Sequence, residues 1–455
     1  MEERAQGTDE QRSIAIARRV IVGLAALWAA TLVVAFALRV GFPLELEWME
    51  GGIVHQAHRL QQGLPIYPPP SADFVPFLYT PLYSIVLAVL GFVVPLGLPL
   101  GRVVSIAAWI AVGLALRRAV LREAKPAAHA YAAVGLWCAG YVLAFRWVDL
   151  CRPDTLFLAL SAWGLVLLRE SWGDAKKAAL AGLLVALAFW TKQTAAILIL
   201  ASGIAALLVA PRQLWIYVAV IAAIDGGGML IGNASTDGWL WTYVYELHQA
   251  HAFNGERFTG KTWGMFAHAG PFLVALAVLV LVDRAWPWLV RKRRLDARAD
   301  EALRARLQSW RALAYWGIVA VAGLLASALG YSTQWAEPNA FLPGIAFGAL
   351  WLAVALPVGG RRELVALALV AAQLVFALLV EPMYHPVQTR GLAGLGESWA
   401  WQDFGRTIPN SAARERAADL RARLEASRGR VLALQRPYWS ILAGGDGHVG
   451  SMGLA

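Results

Sequence analysis

The sequence predicts an all-α polytopic membrane protein, and three observations support this fold class. Of the 455 residues, 59% are hydrophobic and only 15% are charged, and the mean hydropathy is +0.54. Apolar segments approaching the roughly 20 residues that cross a bilayer as a helix recur along the chain. The chain also contains 21 Trp, a residue that concentrates at membrane interfaces. Soluble globular domains do not combine these features.

The apolar segments predict a bundle of about eleven transmembrane helices, some of them short for a span of roughly 20 residues. The first, centred on Val20–Leu38, is expected to be an uncleaved membrane helix, because no signal-peptide pattern is evident. The expected spans are about 20–39, 101–120, 128–146, 155–168, 176–190, 194–210, 213–232, 263–283, 312–330, 339–358 and 363–380. They make up a membrane domain, 1–381, which a small segment, 382–455, follows.

One apolar stretch, Leu82–Val94, is excluded from the spans. It is short and is bracketed by Pro81 and Pro95, which suits a re-entrant or interfacial segment. With this stretch excluded, the basic residues collect in the loops of one side, whereas counting it as a span would move most of them across. The positive-inside rule therefore predicts a cytoplasmic N-terminus, with the first loop, 40–100, and the C-terminal segment on the outer, periplasmic side.

Charge and cysteine content narrow the class further. The net charge of +10 is explained by cytoplasmic loops, and the scattered basic residues form no nucleic-acid recognition motif. Cys138 is predicted within a helix and Cys151 in an outer loop, so no disulfide is expected. The Ala-, Leu- and Arg-rich composition favours a bacterial inner membrane, with membrane lipids as partners.

Three acidic residues crowd the first outer loop: Glu45, Glu47 and Glu50. Carboxylates near hydrocarbon are costly and usually have a function. Glu47 and Glu50 are three residues apart, so on a helical turn both would face one way and could act as a base and an electrostatic or metal partner. A solvated loop surface is the alternative. A short amphipathic interfacial helix is predicted to follow, over residues 51–62.

The remaining candidate site residues are polar or aromatic and lie in outer loops. They are His55, Tyr79, Tyr83, Arg152, Asp154, Lys192, Gln193, His248, Glu337 and Asn339. Arg152 and Asp154 could instead form a structural pair at a helix start, with Asp154 as the N-cap. Lys192, beside Trp190, could simply extend to lipid headgroups.

The sequence names no required cofactor. His248 and His251 have a metal-like spacing, but two histidines alone favour a site without metal. A divalent cation held by Glu50 and His248 stays open as an alternative. Asp225 lies inside an apolar span beside Gly226–Gly228, where a helix kink or polar packing explains it as well as catalysis does.

The first outer loop resembles that of the GT-C superfamily of integral membrane glycosyltransferases, in the clan of the protein O-mannosyltransferases (family 39) and the lipid A aminoarabinose transferases. The residues that carry the resemblance are Glu50-Gly51, Arg59-Leu60, Gly63, Tyr67, Tyr79-Thr-Pro-Leu-Tyr83, Arg152 with Asp154, and Thr191-Lys192-Gln193. The resemblance covers roughly 45–195, and Glu337–Pro343 resembles a later outer motif. In the clan the acidic pair is adjacent, whereas here Met49 precedes Glu50 and the second acid is Glu47.

The resemblance implies a polyprenyl-phosphate-linked sugar donor and transfer at the outer face to a glycan, lipid or protein acceptor, with inversion. Glu47 or Glu50 is the expected base, with Glu47 preferred. Arg152 and Lys192 are the expected ligands of the donor phosphate, and the other candidates shape the cleft. Two alternatives stay open: a lipid or oligosaccharide flippase, for which Asp225 speaks, and a glycan ligase or polymerase that uses a polyprenyl-diphosphate donor.

Overall fold

The computed structural model describes residues 2–71, 73–290, 299–380, 408–429, 431–433 and 436–447. Within these ranges the chain is helical and contains no β-strand. The first half comprises α1 (Glu2–Val40), α2 (Glu50–Gln61), α3 (Leu82–Leu90), α4 (Leu98–Arg122), α5 (Ala127–Ala139), α6 (Asp154–Arg169), α7 (Ala175–Thr191), α8 (Ala195–Val209), α9 (Leu214–Ile221) and α10 (Gly227–Ser235). A π-helical turn, Ala222–Gly226, joins α9 to α10.

The second half contains two long helices and several short ones. They are α11 (Trp239–Trp241), α12 (Leu247–Ala250), α13 (Thr262–Ala269), α14 (Pro271–Val290), α15 (Ala299–Tyr331), α16 (Leu342–Ala355), α17 (Gly360–Leu379), α18 (Ser411–Ala426) and α19 (Pro437–Leu442). Two more π-helical turns, Thr242–Glu246 and Arg257–Lys261, precede α12 and α13, and a 3-10 turn, Pro338–Phe341, leads into α16.

The predicted all-α membrane architecture is confirmed. Six helical segments of the described chain are long and apolar enough to cross a membrane: Thr8–Val40, Leu98–Arg122, Leu214–Ser235, Ser309–Tyr331, Pro338–Ala355 and Gly360–Leu379. A pair bent by 95°, Arg257–Ala269 with Pro271–Asp283, makes a seventh if it is one span. The helices α5 to α8 lie where further spans were predicted, but have only 13 to 17 residues. The count of eleven therefore stays a prediction.

The first loop folds onto the bundle through α2 and α3. The helix α3 has nine residues, too few to cross a bilayer, and α4 begins only at Leu98. The helix α2 matches the predicted amphipathic helix, and Ile53, Val54 and Ala57 on its apolar face are at most 2% exposed. This face packs against α3 and, at Tyr438, against the C-terminal segment.

The C-terminal segment contributes two helices to the same region. The Arg-rich sequence of residues 398–426 predicts a helix. The helix α18 covers Ser411–Ala426, with Asn410 accepting a capping bond from the Ala413 amide (2.8 Å), whereas 398–407 lie outside the described residues. The sequence of residues 431–434 is strand-like, but residues 431–433 form no strand, and Leu434 lies outside the described residues. Ala417 of α18 packs against Phe42 of the first loop.

Several helix termini meet at one end of the bundle, which we call the site end. The C-terminus of α1 meets the start of α4 and the turn before α6, because Arg39 contacts both. The C-terminus of α7 and the 3-10 turn before α16 also reach this end, since Lys192 and Asn339 both bond the first residue of α6. The predicted outer loops therefore share one end.

Gly101, in the first turn of α4, allows the chain before α6 to approach closely. A Cβ atom at this position would lie 2.1 Å from the Cys151 sulfur and 3.3 Å from the Cys151 backbone. The close approach brings the turn that carries Arg152 against the start of α4.

We expect Gly101→Ala to lower the free energy of unfolding by about 1–3 kcal/mol, because the added methyl group must displace Cys151. Gly203→Ala in α8 is the matched control, since nothing lies within 4 Å of the added Cβ there, and alanine is the better helix former. Thermal unfolding of the detergent-purified variants measures both. Equal stability of the two variants would contradict the tight contact.

Candidate active site

A buried ion pair anchors the first loop to α4. Arg102 is fully buried, and its guanidinium donates from Nε to Glu50 Oε1 (2.9 Å) and from Nη2 to Glu50 Oε2 (2.8 Å). The same side chain donates to the carbonyl oxygens of Phe42 (2.6 Å) and Leu44 (2.8 Å). Bidentate pairing fixes distance and orientation together. Arg102 therefore sets the path of the chain that leads to the acidic residues.

Glu50 has no free oxygen. Besides Arg102, it accepts from the backbone amides of Leu46 (2.7 Å) and Cys151 (2.9 Å). Complete burial opposes ionisation, but the charge and hydrogen bonds of Arg102 and the amide donors hold the pKa of Glu50 below its ordinary value. Glu50 is thus an ionised carboxylate that joins the first loop, α4 and the turn before α6.

Five polar side chains from four segments form a second group, which we call the polar cluster: Glu47, Arg152, Asp154, Lys192 and Asn339. Arg152 donates to Glu47 Oε2 from Nη1 (2.7 Å) and to Asp154 Oδ2 from Nε (3.1 Å). Asp154 Oδ1 accepts from the Lys192 ammonium (2.6 Å) and from the Asn339 amide (2.9 Å). The cluster therefore places two cations and two carboxylates side by side at the site end.

Aromatic rings border the two cations. The Lys192 ammonium lies 5.6 Å from the ring centroid of Tyr79 and 5.9 Å from that of Phe157. The Arg152 guanidinium lies 4.8 Å from the ring centroid of Trp147, and its Nη2 donates to the Tyr79 hydroxyl (3.4 Å). Lys192 is the most accessible charged member of the cluster, with 13% of its side chain exposed. The cluster therefore opens past Lys192 and Tyr79.

Glu47 differs from Glu50 because one of its carboxylate oxygens can still accept a hydrogen bond. Its Oε2 accepts from Arg152 and from the Met49 amide (3.1 Å), but its buried Oε1 has no hydrogen-bond partner in the described part of the chain. Burial raises the pKa of Glu47 above its ordinary value, and the positive charge of Arg152 opposes this rise. A carboxylate with one unpartnered oxygen and a raised pKa is suited to accept a proton.

The structure corrects two local expectations. Glu47 precedes α2, which begins at Glu50 after the N-cap Met49, so the two acids do not share one helix face and bind different arginines. Asp154 is not an N-cap: Pro153 occupies that position, and no side chain caps the helix there. Asp154 is the first residue of α6 and pairs with Arg152, as in the structural-pair alternative, and with Lys192.

Other motif residues support the aromatic segment. The Tyr67 hydroxyl donates to the Tyr79 carbonyl (2.6 Å), and the Arg59 guanidinium lies 3.9 Å from the ring centroid of Phe74. His55 packs edge-on against the same Phe74 ring, 5.2 Å between centroids. These residues hold the chain that presents Tyr79 to the polar cluster.

Several residues predicted to line the cleft are not members of the polar cluster. Gln193 and His248 both bond the Leu78 carbonyl (2.6 and 2.8 Å) and so fix the residue before Tyr79. The Tyr83 hydroxyl is buried and donates to the Gly101 carbonyl (2.8 Å), which makes it a packing residue. Glu337 is exposed, two residues before the cluster member Asn339.

The described residues contain no group of three or more His, Cys, Asp or Glu side chains arranged to hold a metal ion. Both oxygens of Glu50 already accept from protein donors, so Glu50 offers no free ligand. His248 and His251 lie with ring centroids 5.5 Å apart in an edge-to-face contact.

Arg102 is not among the residues predicted for the site. It stands near the start of an apolar helix, where an arginine is costly unless paired. That cost was the available signal, although the sequence does not reveal which acid is its partner.

We expect Arg102→Gln to lower the free energy of unfolding by about 3–5 kcal/mol, because Glu50 would then be a buried charge without its cation. In the double variant Arg102→Gln, Glu50→Gln, the free energy of unfolding should fall by less than the sum of the decreases in the two single variants. Denaturant unfolding in detergent measures the cycle.

A surface pair is the control for this cycle. Arg421 and Glu425 of α18 are about half exposed and 2.8 Å apart, and removing such a pair costs at most about 1 kcal/mol. If Arg102→Gln cost no more than Arg421→Gln, the anchoring role would be wrong.

Comparisons with known proteins show a similarity of fold alone. No family model matches the sequence, and no curated protein matches it. ArnT from Cupriavidus metallidurans bound to undecaprenyl phosphate is similar with a TM-score of 0.50 and 15% identity over 93% of this chain and 75% of that chain, and its apo state gives 0.50 and 16%. The apo form of the Archaeoglobus fulgidus oligosaccharyltransferase has a TM-score of 0.44 and 12% identity, and the match covers 93% of this chain and 58% of that chain. This chain shares the GT-C fold of ArnT.

Proposed function

We propose that this protein is a membrane glycosyltransferase that moves a sugar from a polyprenyl-phosphate donor to an acceptor hydroxyl at the outer face, with Glu47 as the base. One observation carries the proposal: the unpartnered Oε1 of Glu47 lies in the same cluster as the cations Arg152 and Lys192. The structure of ArnT bound to undecaprenyl phosphate supports the class of donor, since the two chains share a fold.

The proposed reaction is a single displacement. The acceptor oxygen attacks the anomeric carbon, the bond from that carbon to the phosphate oxygen breaks, and the electron pair leaves with the polyprenyl phosphate. Glu47 Oε1 takes the acceptor proton. Attack on the face opposite the phosphate inverts the anomeric centre. A phosphate leaving group needs little protonation, so the protein must supply a base and positive charge near the phosphate.

Arg152 and Lys192 supply the positive charge near the phosphate. An ammonium has three N–H donors and a guanidinium has five, and the hydrogen bonds to Asp154 and Glu47 use only some of them. Asp154 holds both cations, so they are oriented before the phosphate binds. Charge-assisted hydrogen bonds from both are the strongest type that a phosphate can receive from side chains.

We assign Glu50 a positioning role in this reaction. Its oxygens are fully occupied, and its pairing with Arg102 keeps it ionised and away from the acceptor. Through the amides of Leu46 and Cys151 it fixes the chain on both sides of the polar cluster.

The flippase alternative rests on Asp225. This residue lies in the π-helical turn of the candidate span Leu214–Ser235, and its carboxylate has no hydrogen-bond partner in the described residues. A single acid inside the span contrasts with five polar side chains gathered at the site end, and that contrast favours the enzyme.

We expect Glu47→Gln to lower kcat by about 10²–10⁴-fold with the protein still folded, because the amide cannot accept the proton. Release of undecaprenyl phosphate from undecaprenyl-phosphate-linked hexoses and pentoses is the readout, with envelope lipids and glycans as acceptors. Diphosphate-linked donors, run in parallel, test the ligase alternative.

The exposed Glu425→Gln is the matched control and should keep wild-type turnover. Full activity of Glu47→Gln would remove Glu47 as the base. No release from any phosphate-linked donor by the wild-type protein would contradict the proposed function itself.

The raised pKa of Glu47 predicts the acid side of the pH profile. The base must be ionised, so activity falls as pH drops through its pKa, which lies above the ordinary 4.5. Arg152→Gln removes the charge that opposes the rise and should move this limb to higher pH. Arg152→Lys keeps the charge and should leave the limb near its wild-type position. A pH profile of kcat/KM tests this, and an unshifted limb in Arg152→Gln would refute it.

A further inference from the structure

A cavity of about 320 Å³ lies between the first loop and the C-terminal helices. We call it the tail pocket, and its walls include Leu44, Glu45, Arg416, Leu420, Arg436 and Trp439. Its volume is at the small end of the range of about 300–1,000 Å³ that small-molecule sites occupy. None of these side chains belongs to the polar cluster.

Two side chains that line the tail pocket each have one buried polar atom without a partner among the described residues. Glu45 Oε2 accepts from the Trp439 indole N–H (2.8 Å), but Glu45 Oε1 accepts from nothing. Arg436 Nη1 likewise donates to nothing. Buried polar atoms are normally hydrogen-bonded, so this pair points to a ligand that brings both a donor and an acceptor.

The chemistry of the walls narrows the ligand. Glu45 Oε1 can accept from a hydroxyl group. Arg416 and Arg436 give the pocket two positive charges against one negative, which favours an anion. Trp439, held by its bond to Glu45, offers an aromatic surface to an apolar ring face. A hydroxyl group, an anionic group and an apolar ring face occur together in an acidic sugar.

We infer that the tail pocket binds an acidic saccharide, a sugar that carries a carboxylate or phosphate group, and that this saccharide is part of the acceptor. The assignment to the acceptor rests on the proposed function, whereas the binding itself does not. Glu45 and Glu47 are two residues apart, so their Cα atoms are within about 7 Å. Arg102 also holds the Leu44 carbonyl of the pocket wall (2.8 Å). A saccharide in the pocket therefore lies near the proposed base.

Calorimetric titration of the full-length protein in detergent tests the inference, with glucuronate, glucose 6-phosphate and neutral glucose as probes. The two anionic sugars separate a carboxylate from a phosphate preference. We expect at least one of them to bind more tightly than glucose. Arg436→Gln and Arg416→Gln should each weaken it about tenfold or more, as loss of a charge-assisted hydrogen bond does.

Two further variants test the shape of the pocket and control for a general loss of positive charge. Ala413→Phe narrows the pocket without changing its charge and should also weaken binding. Arg423→Gln is the matched control, because Arg423 is on the same helix, is 76% exposed and pairs with Asp419. It should bind as the wild type does.

The inference is overturned if neither anionic sugar binds saturably, if glucose binds as well as they do, or if the Arg436, Arg416 and Ala413 variants match the wild type. No donor is present in this titration. Pocket binding without undecaprenyl phosphate release would overturn only the proposed function, and release without pocket binding would overturn only the pocket.

Discussion

The ion pair between Arg102 and Glu50 is the constraint on which the site end depends. Both side chains are fully buried, and either one alone would be an uncompensated charge. The pair forms only when the first loop, α4 and the turn before α6 are all in place, because Arg102 also bonds loop carbonyls and Glu50 also bonds the Cys151 amide. The cost of separating these charges thus makes the geometry around Glu47 cooperative with the packing of the helices.

Three acids within six residues have three different environments. Glu50 meets an arginine and three backbone amide donors and stays ionised, whereas Glu47 shares Arg152 with Asp154 and has one oxygen without a hydrogen-bond partner in the described residues. Glu45 turns towards the C-terminal segment and meets Trp439. The partner supplied by a distant part of the chain, and not the type of residue, gives each acid its environment.

Periodicity and hydropathy were sufficient for the helical membrane fold and for α2, since both depend on local pattern. The gathering of Arg152, Asp154, Lys192 and Asn339 was also predictable, because loops on one side of a bundle meet at one end. Pairings were not. The spacing of Glu47 and Glu50 suggested a shared face, but α2 begins only at Glu50, and the start of a helix one turn earlier or later is a matter of tertiary contacts. Tyr83 was predicted to line the cleft, but its hydroxyl is buried and bonds the Gly101 carbonyl, 18 positions away. The sequence does not reveal this contact.

The polar cluster is electrically balanced before substrate binds, with Arg152 and Lys192 against Glu47 and Asp154. In the proposed reaction the donor is a phosphodiester with one negative charge, and the leaving group becomes a phosphate monoester with up to two. Protonation of Glu47 removes the negative charge that Arg152 pairs with, at the moment when charge grows on the phosphate. The cations are then bound more weakly by the protein and more strongly by the leaving group. An interaction that strengthens towards the transition state accelerates the reaction, whereas equal binding of the ground state would not. In the proposed reaction, the hydrogen bond between Arg152 and Glu47 therefore couples proton uptake to phosphate departure.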